Sequence, residues 1–342
     1  MLYYYYTMKL LSKKDDKKTE REKVDERREE VLARGRKFKY PLQFTKYRVV
    51  VNTVLISIVV IAMLIFSGWL ALYQFGMTSE MLFRVTKIIP VPAASIDGEK
   101  VLFSDYLMFY RSSITSIERQ SGEVDLSGSF DELRLQYKRA ALDEAEKYTY
   151  ATKLAKEMNI TVTDEEVANE FTRHLAIGGV NRSEEGFIKI INENFGLTKE
   201  EYEHMLYLTL LRAKVEGQID ENANTTATKV EELLKSNGGD YQDVASKLGA
   251  SIEYQETGGY VSSQNIDGGR ASEAFKLEPG QQSGKFISMS GDGYYFVKLL
   301  KKTDTEVNFV SIKVPFAEFD NRISNLRESG AIEEFVRITD ND

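Results

Sequence analysis

The side chains of this chain that could recognise another molecule are aromatic and lie in its last third. Tyr260, Phe275, Phe286, Tyr294 and Tyr295 fall within 36 residues of one another. Aromatic residues in such a cluster either fill a core or line an apolar groove that binds an extended peptide. We expect most of the five to be core residues and one or two to face a groove, so all five are candidate peptide-binding residues.

Residues suited to acid–base, nucleophilic or metal chemistry are scarce. The chain has no cysteine and only two histidines, His174 and His204. Thiolate chemistry, disulfides and cysteine zinc sites are therefore absent, and the two histidines form no zinc-binding pattern. The sequence shows neither a glycine-rich phosphate loop nor a Ser/His/Asp constellation. We expect no metal, no cofactor, and no nuclease, protease or nucleotide-binding activity.

One apolar segment determines where these residues act. No charged residue lies between Arg48 and Glu80, and the run from Val49 to Leu72 is almost entirely aliphatic. At about 1.5 Å per residue, a helix of this length can cross a bilayer. A cleaved signal peptide is the alternative, but its apolar core is shorter, about 7–15 residues. We predict a retained transmembrane helix over 49–75.

The charges on either side of this helix predict its orientation. Residues 31–48 carry six Lys and Arg and no acid, and net charge is +7 over 1–48 and −15 over the remainder. The positive-inside rule places the N-terminus in the cytoplasm and the main domains outside a cell membrane that the chain crosses once. Mixed charge signs in the N-terminal arm argue against a nucleic-acid partner.

The first part of the exported region has helical patterning. Asp97-Gly98 predicts a tight hairpin turn, and an apolar stripe predicts one long helix from Phe130 to Met158. Capping boxes at Thr163–Glu166 and Thr198–Glu201 begin two further helices.

This order resembles the N-terminal chaperone region of the SurA and PrsA family of extracytoplasmic foldases. The resemblance covers about 94–217 and rests on the hairpin and on three short motifs: Asn159-Ile160, Val162-Thr163-Asp164 and Gly196-Leu197-Thr198. It implies a helical chaperone domain whose partners are unfolded or nascent exported polypeptides.

From residue 228 the chain changes to short helices and strands. A turn at 290–293 separates two apolar strands, and a further strand follows at 307–314. The motifs Gly239-Asp240-Tyr241, Ala274-Phe275, Gly280, Ser283 and Gly293 to Leu299 follow in order. This succession resembles the parvulin-type peptidyl-prolyl isomerase domain.

The departures from the parvulin pattern affect catalysis. The resemblance implies an apolar proline pocket beside two histidines, which helps the amide cross a barrier of about 18–20 kcal/mol. Tyr295 stands at one histidine position, and the pocket's Met and Phe have no counterpart in 266–270. The family's opening strand is missing, because 217–228 has the polar composition of a linker. We hypothesise that 307–314 fills its place in the sheet, with Ser311 at the second histidine position. No residue is therefore assigned as catalytic.

The predicted fold class is α+β, with a single transmembrane helix, a helical SurA-N-like chaperone domain and a small parvulin-like domain of antiparallel sheet with helices. The predicted boundaries are 1–48 for a cytoplasmic charged arm, 49–75 for the transmembrane helix, 76–93 for a linker, 94–217 for the chaperone domain, 228–314 for the parvulin-like domain, and 315–342 for a C-terminal helix and tail.

Three functions remain open at this stage. The first is a membrane-anchored extracytoplasmic chaperone or foldase with a weakly active or inactive parvulin-like domain. The second is an active peptidyl-prolyl cis–trans isomerase, and the third is a structural protein of envelope assembly. The missing histidines favour the first, since positioned acid–base groups typically supply factors of about 10²–10⁴ in rate.

The predicted topology can be tested by cysteine labelling, because the chain has no native cysteine. In intact cells, we expect a membrane-impermeant maleimide to label a Ser236→Cys variant and to leave a Ser12→Cys variant unlabelled, since only position 236 lies outside. Permeabilised cells provide the control, in which both positions should react. Labelling of position 12 alone in intact cells would contradict the predicted orientation.

Overall fold

The computed structural model describes residues 20–35, 41–120, 130–176, 180–265 and 267–338. The chain divides into two compact units, Met1–Trp69 and Leu70–Asp342. In the first unit, helix α1 covers 20–35 and helix α2 covers Pro41–Trp69. The side chains of α2 are exposed from Tyr47 to Phe66. In the described part of the chain, Tyr47–Gln74 is the one segment long and apolar enough to cross a membrane, judged by length and composition.

The second unit begins with a π-helical turn and combines helices with two antiparallel sheets. Its helices are α3 (Glu80–Ile88), α4 (Phe103–Gln120), α5 (Phe130–Met158), α6 (Asp164–Leu175), α7 (Glu184–Phe195), α8 (Lys199–Ile219), α9 (Glu221–Ser236), α10 (Tyr241–Leu248), α11 (Arg270–Phe275) and α12 (Glu318–Glu328). Its strands are β1 (Pro92–Ile96), β2 (Glu99–Leu102), β3 (Glu253–Glu256), β4 (Val261–Ser262), β5 (Phe286–Ile287), β6 (Gly293–Lys302), β7 (Glu306–Pro315) and β8 (Ile332–Glu334). The predicted α+β class is confirmed.

Local sequence signals account for much of the helical part. The β1–β2 hairpin turns at Asp97 and Gly98, whose φ angles of 48° and 80° suit the predicted turn. Thr163 and Thr198 form complete capping boxes at the starts of α6 and α8. Helix α5 has the predicted bounds, Phe130–Met158. The apolar faces of α3 to α8 meet in one cluster of buried side chains, the helical core.

The C-terminal sheet has the strand order β3-β7-β6-β5, and β4 also pairs with β7. Helices α9 and α10 cover one face through a cluster that includes Val230, Phe296 and Ile312. Helix α11 covers part of the other face, against Val297 and Leu299. Strand β7 pairs with β6 in the hairpin hypothesised from sequence. That it replaces the opening strand of a parvulin fold stays a hypothesis.

The end of the chain returns to the helical core. Phe319 and Ile323 of α12 are buried in it, and β8 pairs with β1 to give the three-stranded order β2-β1-β8. The described residues of the predicted C-terminal helix and tail, 315–338, therefore contribute side chains and a strand to the helical part. Sequence patterning did not predict β8, because only its pairing with β1 stabilises so short a strand.

Two segments expected to be linkers are helical. Within 76–93, α3 buries Phe83 in the helical core. Within 217–228, α8 ends at Ile219 and α9 begins at Glu221, with Asp220 between them. Leu72, near the end of the predicted transmembrane segment 49–75, is only 6% exposed and belongs to the core of the second unit.

Two buried carboxylates lie where α12 packs on the helical core. Glu146 Oε2 accepts a hydrogen bond of 2.8 Å from Arg327 Nη2, and Glu216 Oε1 accepts one of 2.6 Å from Arg212 Nε. Burial raises the pKa of Glu146 to about 7 despite Arg327, and burial likewise raises the pKa of Glu216 to about 7 despite Arg212. Each carboxyl therefore binds its proton more tightly in the folded state than in the unfolded chain.

The raised pKa values of Glu146 and Glu216 predict that the second unit loses stability as pH rises from 5 to 8. The contribution of each carboxyl is fully present below its unfolded pKa of 4.5 and is lost as pH rises through about 7. We expect a loss of about 2–3 kcal/mol per carboxyl at full ionisation, measured as a falling midpoint of thermal or urea unfolding.

The matched controls are Glu146→Gln and Glu216→Gln, which keep an acceptor for the arginine but cannot ionise. Each variant should remove part of the fall in the unfolding midpoint between pH 5 and 8. A wild-type unfolding midpoint that stays constant from pH 5 to 8 would contradict the raised pKa values, because a lowered carboxyl pKa changes stability only below about pH 4.5.

Candidate functional site

The five aromatic residues predicted as peptide-binding candidates lie in different environments. Tyr294 and Tyr295 are 5% and 4% exposed, while Tyr260 and Phe275 are 48% and 36% exposed. Neighbouring residues of a strand point to opposite faces of the sheet, so Tyr294 and Tyr295 cannot line one groove. Only Phe286 and Tyr295 stack on each other, with ring centroids 6.0 Å apart.

Tyr295 is enclosed by polar and aromatic neighbours. Its hydroxyl donates to Asp292 Oδ2 at 3.1 Å, and the Arg270 guanidinium lies 5.1 Å from the centre of its ring. Arg270 is held in turn by the backbone carbonyl of Asp267 at 2.8 Å and by Gln255 Oε1 at 2.5 Å. Arg270 and Phe286 together therefore close the ring of Tyr295 off from solvent.

The electrostatics around Tyr295 stabilise this closed arrangement. Burial, and then the nearby Asp292, raise the pKa of Tyr295, so the hydroxyl stays protonated and donates. Burial alone would raise the pKa of Asp292, but hydrogen bonds from Ser288, Lys313 and Ser290 outweigh it and lower that pKa to about 2. A protonated phenol and a fixed carboxylate offer no group that exchanges protons near neutral pH.

Ser311 shares the sheet face of Tyr295 but is not its direct neighbour. Across the β6–β7 ladder, Tyr295 pairs with Lys313, and Ser311 pairs with Val297. Ser311 is 1% exposed, and its hydroxyl donates to the Gln255 carbonyl at 3.4 Å. The two positions that the parvulin resemblance assigns to histidines therefore hold buried side chains.

Tyr294 connects the sheet to the helical part. Its hydroxyl lies 2.6 Å from the Gly217 carbonyl of α8 and 2.8 Å from Asn224 Oδ1 of α9. Phe316 packs edge-to-face on its ring at 4.9 Å. Tyr294 is therefore a packing residue at the junction of these elements.

The strongest candidate site is a cleft between the helical part, α3 to α8, and the sheet-bearing part, α9 to β7. It has a volume of about 320 Å³, and we call it the inter-module cleft. Its apolar side chains come from α4, α5 and α8, and the opposite wall comes from two loops of the sheet-bearing part. The lining residues are Phe109, Glu144, Tyr148, Glu170, Arg173, His174, Tyr202, Met205, Leu206, Thr209, Leu210, Gly268, Met289 and Ser290.

A charged cluster on α6 forms one side of this cleft. Glu170 contacts Arg173 and also His174, whose Nε2 lies 3.0 Å from Glu170 Oε1. The other nitrogen of His174 lies 2.5 Å from the Tyr202 hydroxyl. Burial would raise the pKa of Glu170, but hydrogen bonds from His174 and Arg173 lower it, so the carboxylate stays charged. The cluster places fixed charges beside the apolar surface of Met205 and Leu210.

The two histidines take part in packing and ion-pair contacts. His174 belongs to the cleft cluster, whereas His204 contacts Asp105 at 3.3 Å and stacks on Tyr207. Among the described residues, no group of three or more His, Cys, Asp or Glu side chains is arranged to hold a metal ion.

Comparison with known families identifies the region that supplies most of the cleft. The sequence pattern of the SurA-like N-terminal domain matches residues 43–216, just over half of the chain. The chain belongs to the SurA-like N-terminal domain family. No curated protein and no solved structure matches it. The matched region begins within α2, includes the β1–β2 hairpin and α3 to α7, and stops near the end of α8, before the C-terminal sheet. The parvulin resemblance of the sheet-bearing part therefore stays a prediction.

Sequence reasoning missed the cleft, although it recognised the SurA-like helices around it. Met205, Thr209 and Leu210 lie on one side of α8, where the stripe is only partly apolar. Hydrophobic patterning cannot show which apolar stripes of a helix remain accessible after the helices pack. The opposite wall of the cleft, at Gly268 and Met289, lies there because of tertiary contacts alone.

The closed environment of Tyr295 predicts that the wild-type chain does not accelerate prolyl isomerisation. On a short X-Pro peptide, we expect a rate within about twofold of the uncatalysed reaction, which takes tens to hundreds of seconds at 25 °C. A Tyr295→His variant should stay at this background, because Arg270 and Phe286 still cover the position. Exchange spectroscopy by NMR measures the rate directly.

The matched control is Tyr295→Phe, which removes only the hydroxyl and should leave the background rate unchanged. A wild-type rate that rises in proportion to protein concentration would contradict the prediction and would place an isomerase site elsewhere in the chain.

Proposed function

We propose that this chain is a membrane-anchored extracytoplasmic chaperone that binds unfolded exported polypeptides in the inter-module cleft. Membership of the SurA-like family supports a chaperone-like role in protein folding. The observation that carries the proposal is the cleft itself, an apolar depression bordered by fixed charges between two parts of one unit.

The composition of the cleft suits binding without strict sequence demands. Met205 is flexible and polarisable, so it adapts to side chains of different shape. Leu206, Leu210 and Phe109 add aliphatic and aromatic surface. The volume of about 320 Å³ lies at the lower end of the range for ligand pockets, about 300–1,000 Å³. It therefore suits a few apolar side chains of an extended chain and excludes a folded domain.

The apolar helix supports the anchoring part of the proposal. The aliphatic side chains of α2 are exposed from Val49 to Ile65, which favours a lipid environment over a protein core. The basic residues before this stretch support a cytoplasmic N-terminus, with α3 to α8 of the SurA-like region outside the cell membrane. The partners in this proposal are the membrane and unfolded exported polypeptides.

The sheet-bearing part supports the cleft and performs no chemistry in this proposal. It supplies Gly268, Met289 and Ser290 to the cleft wall, and Tyr295 is buried beneath Arg270. These placements favour polypeptide holding over prolyl isomerisation.

Site-directed cross-linking tests the binding site in the full chain. A benzophenone attached to a Met205→Cys variant should cross-link an unfolded client several-fold more than the same probe on a His204→Cys variant. Both positions lie on α8, but only Met205 lines the cleft. Equal cross-linking from the two positions would contradict binding in the cleft.

Aggregation of a denatured client measures the activity. A Leu210→Asp variant should lose most of the protection seen by light scattering, because a charge in the apolar cleft opposes burial of apolar side chains. The matched control, Ile190→Asp, changes an exposed apolar residue outside the cleft and should protect like the wild type. Circular dichroism confirms that both variants are folded, and full protection by Leu210→Asp would overturn the proposal.

A further inference from the structure

The second unit carries an exposed apolar surface close to its beginning. Six side chains form it, and we call it the α3 apolar surface: Phe75, Met77, Met81, Val85, Ile88 and Ile89. Among the described residues from 70 onward, these are six of the thirteen large apolar side chains that are exposed. Met81 and Ile88 are 76% and 83% exposed. Such a concentration in fifteen residues marks an interaction surface.

Helix α3 presents three different faces. At about 100° per residue, Met81, Val85 and Ile88 fall within roughly 60° of one another. Phe83 and Thr86 point the other way and are buried in the protein. The third face carries Glu80, Arg84 and Lys87, all exposed. The buried face packs on the protein, and the charged face adds ion pairs from Glu80 to Arg111 and from Lys87 to Glu201, while the apolar face stays open.

Basic side chains lie beside this surface. A groove of about 530 Å³ begins at Phe75 and Met77 and is also lined by Arg111, Arg134 and Lys138, with Glu118 as the acidic residue of its lining. Arg111 forms an ion pair of 2.9 Å with Glu80, the first residue of α3, and Arg134 forms one of 3.6 Å with Glu118, whereas Lys138 is 4% exposed. An apolar helix face bordered by charged side chains is the pattern of helices that lie in the membrane interface, with apolar side chains in the acyl region and charged ones near the headgroups.

We propose that the α3 apolar surface inserts into the outer leaflet of the membrane that α2 spans. This inference rests on the proposed anchoring. Phe75 lies six positions after Trp69, and a fully extended chain of that length reaches about 20 Å. Phe75 therefore stays near the end of the span whatever the orientation of the second unit. A lipid surface is always present at that distance, whereas a second copy or a client is not.

The consequence is a chaperone unit with a preferred face toward the bilayer. Insertion of α3 at a second point beyond the span restricts rotation of the unit about the anchor. None of the six residues lines the inter-module cleft, so insertion of the α3 apolar surface does not occupy the cleft.

Depth-dependent quenching in the full chain tests the proposal. The chain has no native cysteine, so a fluorophore can be attached to single Met81→Cys, Ile88→Cys, Ile190→Cys and Val59→Cys variants. Each is reconstituted in lipid nanodiscs holding one protein copy. Nitroxide-labelled phosphatidylcholine should quench the probes at 81 and 88 at least about twofold more than the probe at 190. Position 190 is the matched control, because Ile190 is an exposed apolar residue outside the surface.

The outcomes separate this proposal from the anchoring on which it rests. If aqueous iodide reaches positions 81 and 88 as readily as 190, while 59 is quenched only by lipid, the anchor stands and insertion of α3 is overturned. If iodide reaches position 59, the anchoring itself is wrong. Protection of 81 and 88 from both quenchers would show that protein covers the surface, and that result also overturns insertion into lipid.

Discussion

The second unit is organised around the carboxylate of Asp220, which is 3% exposed. Its Oδ1 accepts from the backbone of Ala223 at 2.8 Å, where α9 begins. Its Oδ2 accepts from the backbone of Ala317 at 2.8 Å and of Glu318 at 3.0 Å, where α12 begins. Asp220 itself follows the last residue of α8. One side chain therefore joins three helix ends, and the buried N–H group of Ala223 would cost about 1–3 kcal/mol if left unsatisfied.

This junction determines the relation between the helical core and the sheet. Helix α9 begins one residue after Asp220 and packs on one sheet face, so no flexible linker separates the two parts. The Tyr294 hydroxyl reinforces the same point through Gly217 and Asn224. From the other side, α12 starts at the Asp220 carboxylate and returns the chain to the helical core. The inter-module cleft can exist because these contacts hold its two walls at a constant separation.

The features predicted correctly from sequence are those whose causes are local. The turn at Asp97-Gly98, the capping boxes and the full length of α5 depend on residues a few positions apart. Helix α9 was missed at its start because its buried stripe opens with Ala223 and Ala227, which are small and surrounded by polar residues. Strand β8, the packing of α12 and the cleft depend on contacts between residues more than 50 positions apart. Hydrophobic periodicity predicts local helices and strands and does not predict contacts between distant residues.

The environment of Tyr295 shows how neighbouring side chains stabilise one face of the sheet. Around Tyr295 the strand pairs in regular register, and the side chain lies beside Phe286 and opposite Lys313. A phenol held by Asp292 and covered by Arg270 strengthens the packing of that sheet face, whereas an exposed histidine would need solvent or substrate at the same position. In the proposed function, the sheet-bearing part needs rigidity, because it forms one wall of the cleft. Arg270, Phe286 and Asp292 supply that rigidity, since the contacts that enclose Tyr295 also fix the sheet face beside the cleft wall.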